Sequence, residues 1–142
     1  AIRIINHKIA DQLEILVKTE KGVPKVITEL TGITEEILEE KGTVLSSAME
    51  RFCEFIGQST IVGHNIAFDR SFLKEACRKT NRMNLKNSAK DTLDLARRRI
   101  DDIDDYKLHA LADYFQIKVE EEHRALSDCI TTFQVFEKLN EI

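Results

Sequence analysis

Thr60-Ile61-Val62-Gly63 is a short apolar run that passes directly into a polar pair, His64-Asn65, and then into a helical repeat. Phe68, Phe72, Leu73 and Ala76 share one face of that repeat. A brief continuous apolar run reads as a buried strand, and a strand feeding an amphipathic helix is a unit of layered α/β and α+β folds. Arg78 and Lys79 give the helix a basic C-terminal end, which suits its dipole.

The remaining elements fit the same class. Residues 2 to 5 and 13 to 17 are β-branched and aliphatic runs around Asn6-His7-Lys8, which predicts a hairpin closed off by Lys21 to Pro24. Thr34 predicts a helix entry, and Glu35, Glu36, Glu39 and Glu40 an acidic helix surface ended by Gly42. Ser46 or Ser47 is the expected cap of the next helix, with Ala48, Phe52, Phe55 and Ile56 on its apolar face and Gly57 at its end. Asp91 to Ala96 alternates as a strand would, with a helical start possible at Asp94. Leu108, Leu111, Ala112 and Phe115 mark one further helix, and Ala125 through Leu139 the last. The expected fold class is α/β or α+β, in a single domain over 1–142.

Hydrophobic residues at 42% and charged residues at 32% are the balance of a globular chain, so disorder is not the expectation. A net charge of −4 argues against a broad basic surface for non-specific DNA coating, yet allows a site that grips a few nucleotides through metal ions. The basic clusters at Arg78 to Lys90 and Arg97 to Arg99 read, each alone, as solvated faces. Cys53, Cys77 and Cys129 are odd in number and widely spaced, which favours small buried thiols over a zinc or disulfide framework. No apolar run approaches the roughly 18 residues of a membrane span. Cytoplasm, with no membrane partner, is the expected setting.

Chemistry-bearing residues sit at element ends. Asp69 falls in the first turn of the helix after the strand, where a carboxylate is balanced by the helix N-terminus and suits Mg²⁺ or Mn²⁺ as an oxygen ligand; a simple capping acid is the blander alternative. In the last helix Ala125, Cys129, Thr132, Phe133, Phe136 and Leu139 form the apolar stripe, and at about 100° per residue Asp128 lies at its border. A carboxylate beside the core is costly without a cation or hydrogen bonds. His123, five positions earlier, belongs to the preceding loop, from which an imidazole can take a proton from water near neutral pH. His7 and His109 read as surface residues.

His-Asn-x-x-Phe-Asp followed by Phe-Leu, from His64 to Leu73, and His-x-Ala-x-x-Asp, from His123 to Asp128, resemble the motifs of the DEDDh exonucleases, most closely the DnaQ-type proofreading group. Leu-Thr-Gly-Ile-Thr (Leu30 to Thr34), Asp-Thr-Leu-Asp-Leu-Ala-Arg (Asp91 to Arg97) and Lys-Leu-x-x-Leu-Ala-x-x-Phe (Lys107 to Phe115) resemble the same family in order and spacing. Five weak motifs in the right order make a strong match.

The resemblance implies a ribonuclease H-like fold, a mixed five-stranded sheet flanked by helices. It implies 3′ to 5′ release of nucleoside monophosphates from DNA, in proofreading or repair. By position, Asp69 and Asp128 would be metal ligands and His123 the general base, acting with two Mg²⁺ or Mn²⁺ ions about 4 Å apart. His64, Asn65 and Phe68 would lie near the terminal nucleotides, and Leu30, Thr31 and Ile33 against the terminal base and sugar. Expected partners are a single-stranded or frayed DNA 3′ end, with RNA not distinguished, and a polymerase or helicase domain. The alternative is a non-catalytic DnaQ-like module that binds nucleic acid or a polymerase.

One motif of the family is missing. Its members open on a central strand bearing Asp-x-Glu, and no Asp-x-Glu occurs in this sequence. Asp11 and Glu14 have the wrong spacing and read as exposed residues. Without its first, central strand such a sheet would fall into two halves with unpaired edges. The expectation is an N-terminally incomplete domain, completed by an upstream segment of roughly 15 to 25 residues or by another chain.

Overall fold

The computed structural model describes residues 1–121 and 123–142. Strand β1 (Ile2–Ile5) turns through Asn6 and His7 into β2 (Lys8–Gln12). Both turn residues are left-handed, at φ 52° and 61°, as a two-residue hairpin loop demands. That tight turn pairs Ile5 with Lys8 and Ile4 with Ile9, so the second strand is 8–12 rather than the expected 13–17. Leu13 still exchanges backbone hydrogen bonds with Ala1 at 2.8 Å, residues 14–16 then leave the hairpin, and Val17 makes an isolated bridge to Thr43. Arg3 fastens the hairpin to the following layer: its guanidinium reaches Asp11 at 3.2 Å, donates to the Phe55 carbonyl at 2.7 Å and covers the Phe55 ring.

Helices α1 (Lys25–Thr31), α2 (Glu35–Lys41) and α3 (Leu45–Ile56) follow. Gly32 ends α1 at φ 73°, and Thr34 caps α2 by accepting from the Ile37 N–H, as its sequence position indicates. Val44 rather than a serine occupies the N-cap of α3, and Ser46 and Ser47 lie inside the helix. Strand β3 (Ile61–Gly63) leads into α4 (Ile66–Lys79), which returns to β4 (Ala89–Asp91). The two strands pair in parallel from Ile61–Ala89 to Gly63–Asp91, as a helical crossover permits. A helix, α5 (Thr92–Arg99), begins at once after Asp91, so of the strand expected from Asp91 to Ala96 only Asp91 is strand, and the helix starts two residues before the alternative start at Asp94. Helices α6 (Leu108–Tyr114) and α7 (Ala125–Glu141) complete the chain.

Ala96, Ile100, Leu111, Val135 and Leu139 form the buried core, where α5 and α6 pack on α7. Two features differ from the periodicity. Phe68 and Phe72 are 62% and 64% exposed, and α4 buries the neighbouring Cys77 instead. Val62 in β3 is 37% exposed, so that strand is open on one side. Among the described residues the strands make two separate pairs, β1 with β2 and β3 with β4, both resting on α7. Beside the hairpin lies an apolar cavity of about 850 Å³, walled by Leu13, Ile15, Met49, Phe52, Leu73 and Ile130 among others.

Candidate active site

Gly63 closes β3 at a point where a side-chain carbon would press on the Ile66 side chain, which would have to shift at the fold-back into α4. The turn passes through Asn65, left-handed at φ 57° and ψ 50°, a conformation asparagine tolerates better than most residues. Asn65 stands at the N-cap of α4 but its side chain makes no capping bond. Capping comes from across the strand pair. The Asp91 carboxylate accepts the N–H groups of Asn65 at 2.9 Å and Ile66 at 3.1 Å, and that of Leu93 at 2.9 Å at the start of α5.

His64 is half-buried behind this turn. Its Nδ1 lies 2.9 Å from the hydroxyl of fully buried Thr92, which donates to the Gly63 carbonyl at 3.2 Å. Burial pushes the His64 pKa below its ordinary value; a hydrogen bond to the Tyr106 backbone and the negative charge of Asp91 oppose that shift. The folded state therefore prefers the neutral ring. Below the ordinary histidine pKa of about 6.5 the unfolded chain binds the proton more readily, so His64 contributes stability that is present above that pH and lost as pH falls through the lowered value. Urea midpoints are expected to drop between pH 7.5 and 5, and His64→Gln is expected to flatten that drop.

Asp69 projects from the first turn of α4. The residue is exposed, but partial desolvation pushes its carboxyl pKa up, its own backbone N–H opposing the rise and the Asp91 charge adding to it. Asp128 is half-buried in the first turn of α7. His123 occupies the turn before α7, exposed and left-handed at φ 60°. Between them Arg124 ties this turn to the rest of the fold: one amino group donates to the Thr31 carbonyl at 2.8 Å and the other lies 3.5 Å from Glu14.

The expected site residues thus form two groups. Thr31, Ile33 and His123 line the large cavity, and His123 and Asp128 share a second cleft of about 110 Å³ with His109. His64, Asn65 and Asp69 gather at the β3–α4 junction. Phe68 lies on the exposed face of α4 in edge-to-face contact with Phe72 at 5.0 Å, and Leu30 is 49% exposed at the end of α1. Asp69 and Asp128 are oxygen donors of the kind that hard divalent cations prefer. Among the described residues, however, no three histidine, cysteine, aspartate or glutamate side chains converge as a metal site.

Sequence reasoning passed over Asp91 and Arg124. Asp91-Thr92-Leu93-Asp94 has the form of a helix start, an acceptor at the N-cap with acid in the first turn, which would have marked Asp91 as a cap. Nothing local marks the reach of Arg124 to a carbonyl 93 residues away. The triple arginine proves in part structural, since Arg99 donates to the carbonyls of Leu139 and Ile142.

Residues 1–136 match the exonuclease family typified by RNase T. The chain belongs to this exonuclease family. The exonuclease domain is 36% identical, over its whole length, to the PolC-type DNA polymerase III of Caldanaerobacter subterraneus subsp. tengcongensis. It is 30% identical over 99% of its length to the DNA polymerase III epsilon subunit of Aquifex aeolicus, of which it covers 69%. It spans only about a tenth of the PolC-type relatives. Among solved structures, exonuclease X in complex with 5′-overhanging duplex DNA superposes with a TM-score of 0.77 at 23% identity, covering 99% of this chain and 79% of that one. That superposition bears out the ribonuclease H-like α/β fold expected from the motifs.

Proposed function

We propose that this exonuclease domain removes nucleoside monophosphates from DNA 3′ ends in a reaction that depends on Mg²⁺ or Mn²⁺, in the service of a replicative polymerase. The observation that carries the reading is the shared cleft of His123 and Asp128, with His123 also facing the cavity lined by Thr31 and Ile33. The residue assigned as base in this reading shares one cleft with an assigned cation ligand and also borders the cavity lined by the segment expected to hold the terminal nucleotide. In this reading Asp69 and Asp128 hold the cations, His123 takes the proton of the attacking water, and His64, Asn65, Phe68, Leu30, Thr31 and Ile33 position the last nucleotides. The ions, when bound, would supply charge stabilisation at the scissile phosphate.

The described residues offer donors of the right kind but too few of them. The two strand pairs with an apolar cavity beside them support a further strand, bearing additional carboxylates, that joins the half-sheets. The shortage of converging donors favours the second reading, a module that binds DNA or a polymerase without cleaving.

One assay separates the two. The full-length protein, incubated with single-stranded and 3′-recessed DNA in Mn²⁺, is expected to yield mononucleotides from a 3′-labelled strand at once and a descending ladder from a 5′-labelled strand, with EDTA stopping both. Binding without hydrolysis under those conditions would leave the non-catalytic reading.

A further inference from the structure

We infer that Asp91 is a positioning residue for this site: its carboxylate, reaching from β4, sets the left-handed Asn65 turn and hence the direction in which α4 presents Asp69. The inference rests on the exonuclease reading of Asp69 and His64. Three backbone N–H groups, from Asn65, Ile66 and Leu93, converge on the two Asp91 oxygens at 2.9 to 3.1 Å. Such charge-assisted bonds are among the stronger in proteins. They span 25 and 26 residues toward α4 and two toward α5, so one side chain fixes the starts of two helices together.

The consequence for the site follows from local geometry. The first N–H groups of a helix have no partner within it, and the Asn65 side chain supplies none for α4. Asp91 is the group that does so, from the strand paired to β3 at Gly63. Asp69 lies three residues beyond Ile66, inside the turn whose first N–H groups Asp91 holds. Thr92, the next residue, holds the His64 ring. The β4–α5 junction therefore sets both the backbone entry to α4 and the imidazole before it. Partners that orient a ligand-bearing element commonly change metal affinity or activity by about 10- to 100-fold when removed.

Asp91→Asn is the discriminating change, because it keeps one oxygen acceptor and replaces the other with an NH₂ group that faces the Ile66 N–H. The matched control is Asn87→Ala. Asn87 fastens the opposite end of β3 by donating to the Gly57 and Ser59 carbonyls, so its loss lowers stability away from the site. Both variants are made in the full-length protein and compared by amide hydrogen exchange, Mn²⁺ titration and steady-state cleavage. In Asp91→Asn the Ile66 amide, which loses its acceptor, is expected to exchange faster, with Mn²⁺ affinity and kcat each reduced about 10- to 100-fold and KM for DNA held. Asn87→Ala is expected to keep wild-type kcat and Mn²⁺ affinity. A cleaving, Mn²⁺-binding wild type whose Asp91→Asn variant matches Asn87→Ala would overturn the positioning role alone. A wild type inert toward both Mn²⁺ and DNA would overturn the exonuclease reading and the role built on it.

Discussion

Asp128→Ala in the full-length protein is expected to reduce DNA cleavage by about a thousandfold or more, roughly 4 kcal/mol of transition-state stabilisation, while leaving the circular-dichroism spectrum close to wild type. Asp128 sits half-buried at the start of α7, where an acid benefits from the helix N-terminus but the core has not yet closed. Its removal withdraws an oxygen donor from the cleft it shares with His123. Asp69→Ala is expected to match it, since Asp69 is a surface residue of the first turn of α4. Cleavage by either variant at more than a tenth of the wild-type rate, measured in Mn²⁺, would refute the ligand assignment.

Leu111→Ala carries the largest expected cost in stability, about 2–5 kcal/mol. Leu111 is fully buried among Ala96, Ile100, Val135 and Leu139, where α5, α6 and α7 meet. A domain stable by about 5–15 kcal/mol overall would lose a large share of its margin. Urea unfolding followed by tryptophan-independent probes is required, as the sequence has no Trp. Phe72→Ala is the informative contrast: a larger side chain, but 64% exposed, so its removal is expected to change stability by less than about 0.5 kcal/mol. A Phe72→Ala cost equal to that of Leu111→Ala would mean that α4 buries its aromatic edge.

Some helix ends were legible in the sequence through one short-range rule, though the same rule put the α3 cap at Ser46 or Ser47 where Val44 stands. Thr34 caps α2 and Gly57 ends α3 because the capping acceptor and the glycine act on their own neighbours. The hairpin's second strand was misplaced because the aliphatic run at 13–17 looked more strand-like than 8–12, whereas two left-handed turn residues dictated immediate pairing. Helix periodicity put Phe68 and Phe72 with Leu73 and Ala76, yet which stripe is buried depends on what lies opposite. Asp69, His123 and Asp128 stood out because helix starts and loops announce themselves locally. The carboxylate of Asp91 and the guanidinium of Arg124 did not, because their partners are 25 and 93 residues away and only the tertiary fold supplies them.

Along α7 the buried residues are Thr131, Thr132, Val135 and Leu139, all downstream of Asp128. The first turn can fray or change composition while the last three turns keep the core closed, because local opening at a helix end costs far less than global unfolding. Selection on the architecture and selection on the chemistry thus act on different stretches of one helix. A descendant of this domain that gave up hydrolysis and kept only a scaffolding duty would pay almost nothing in foldability, so persistence of the fold in a lineage is poor testimony that the hydrolytic duty persists with it.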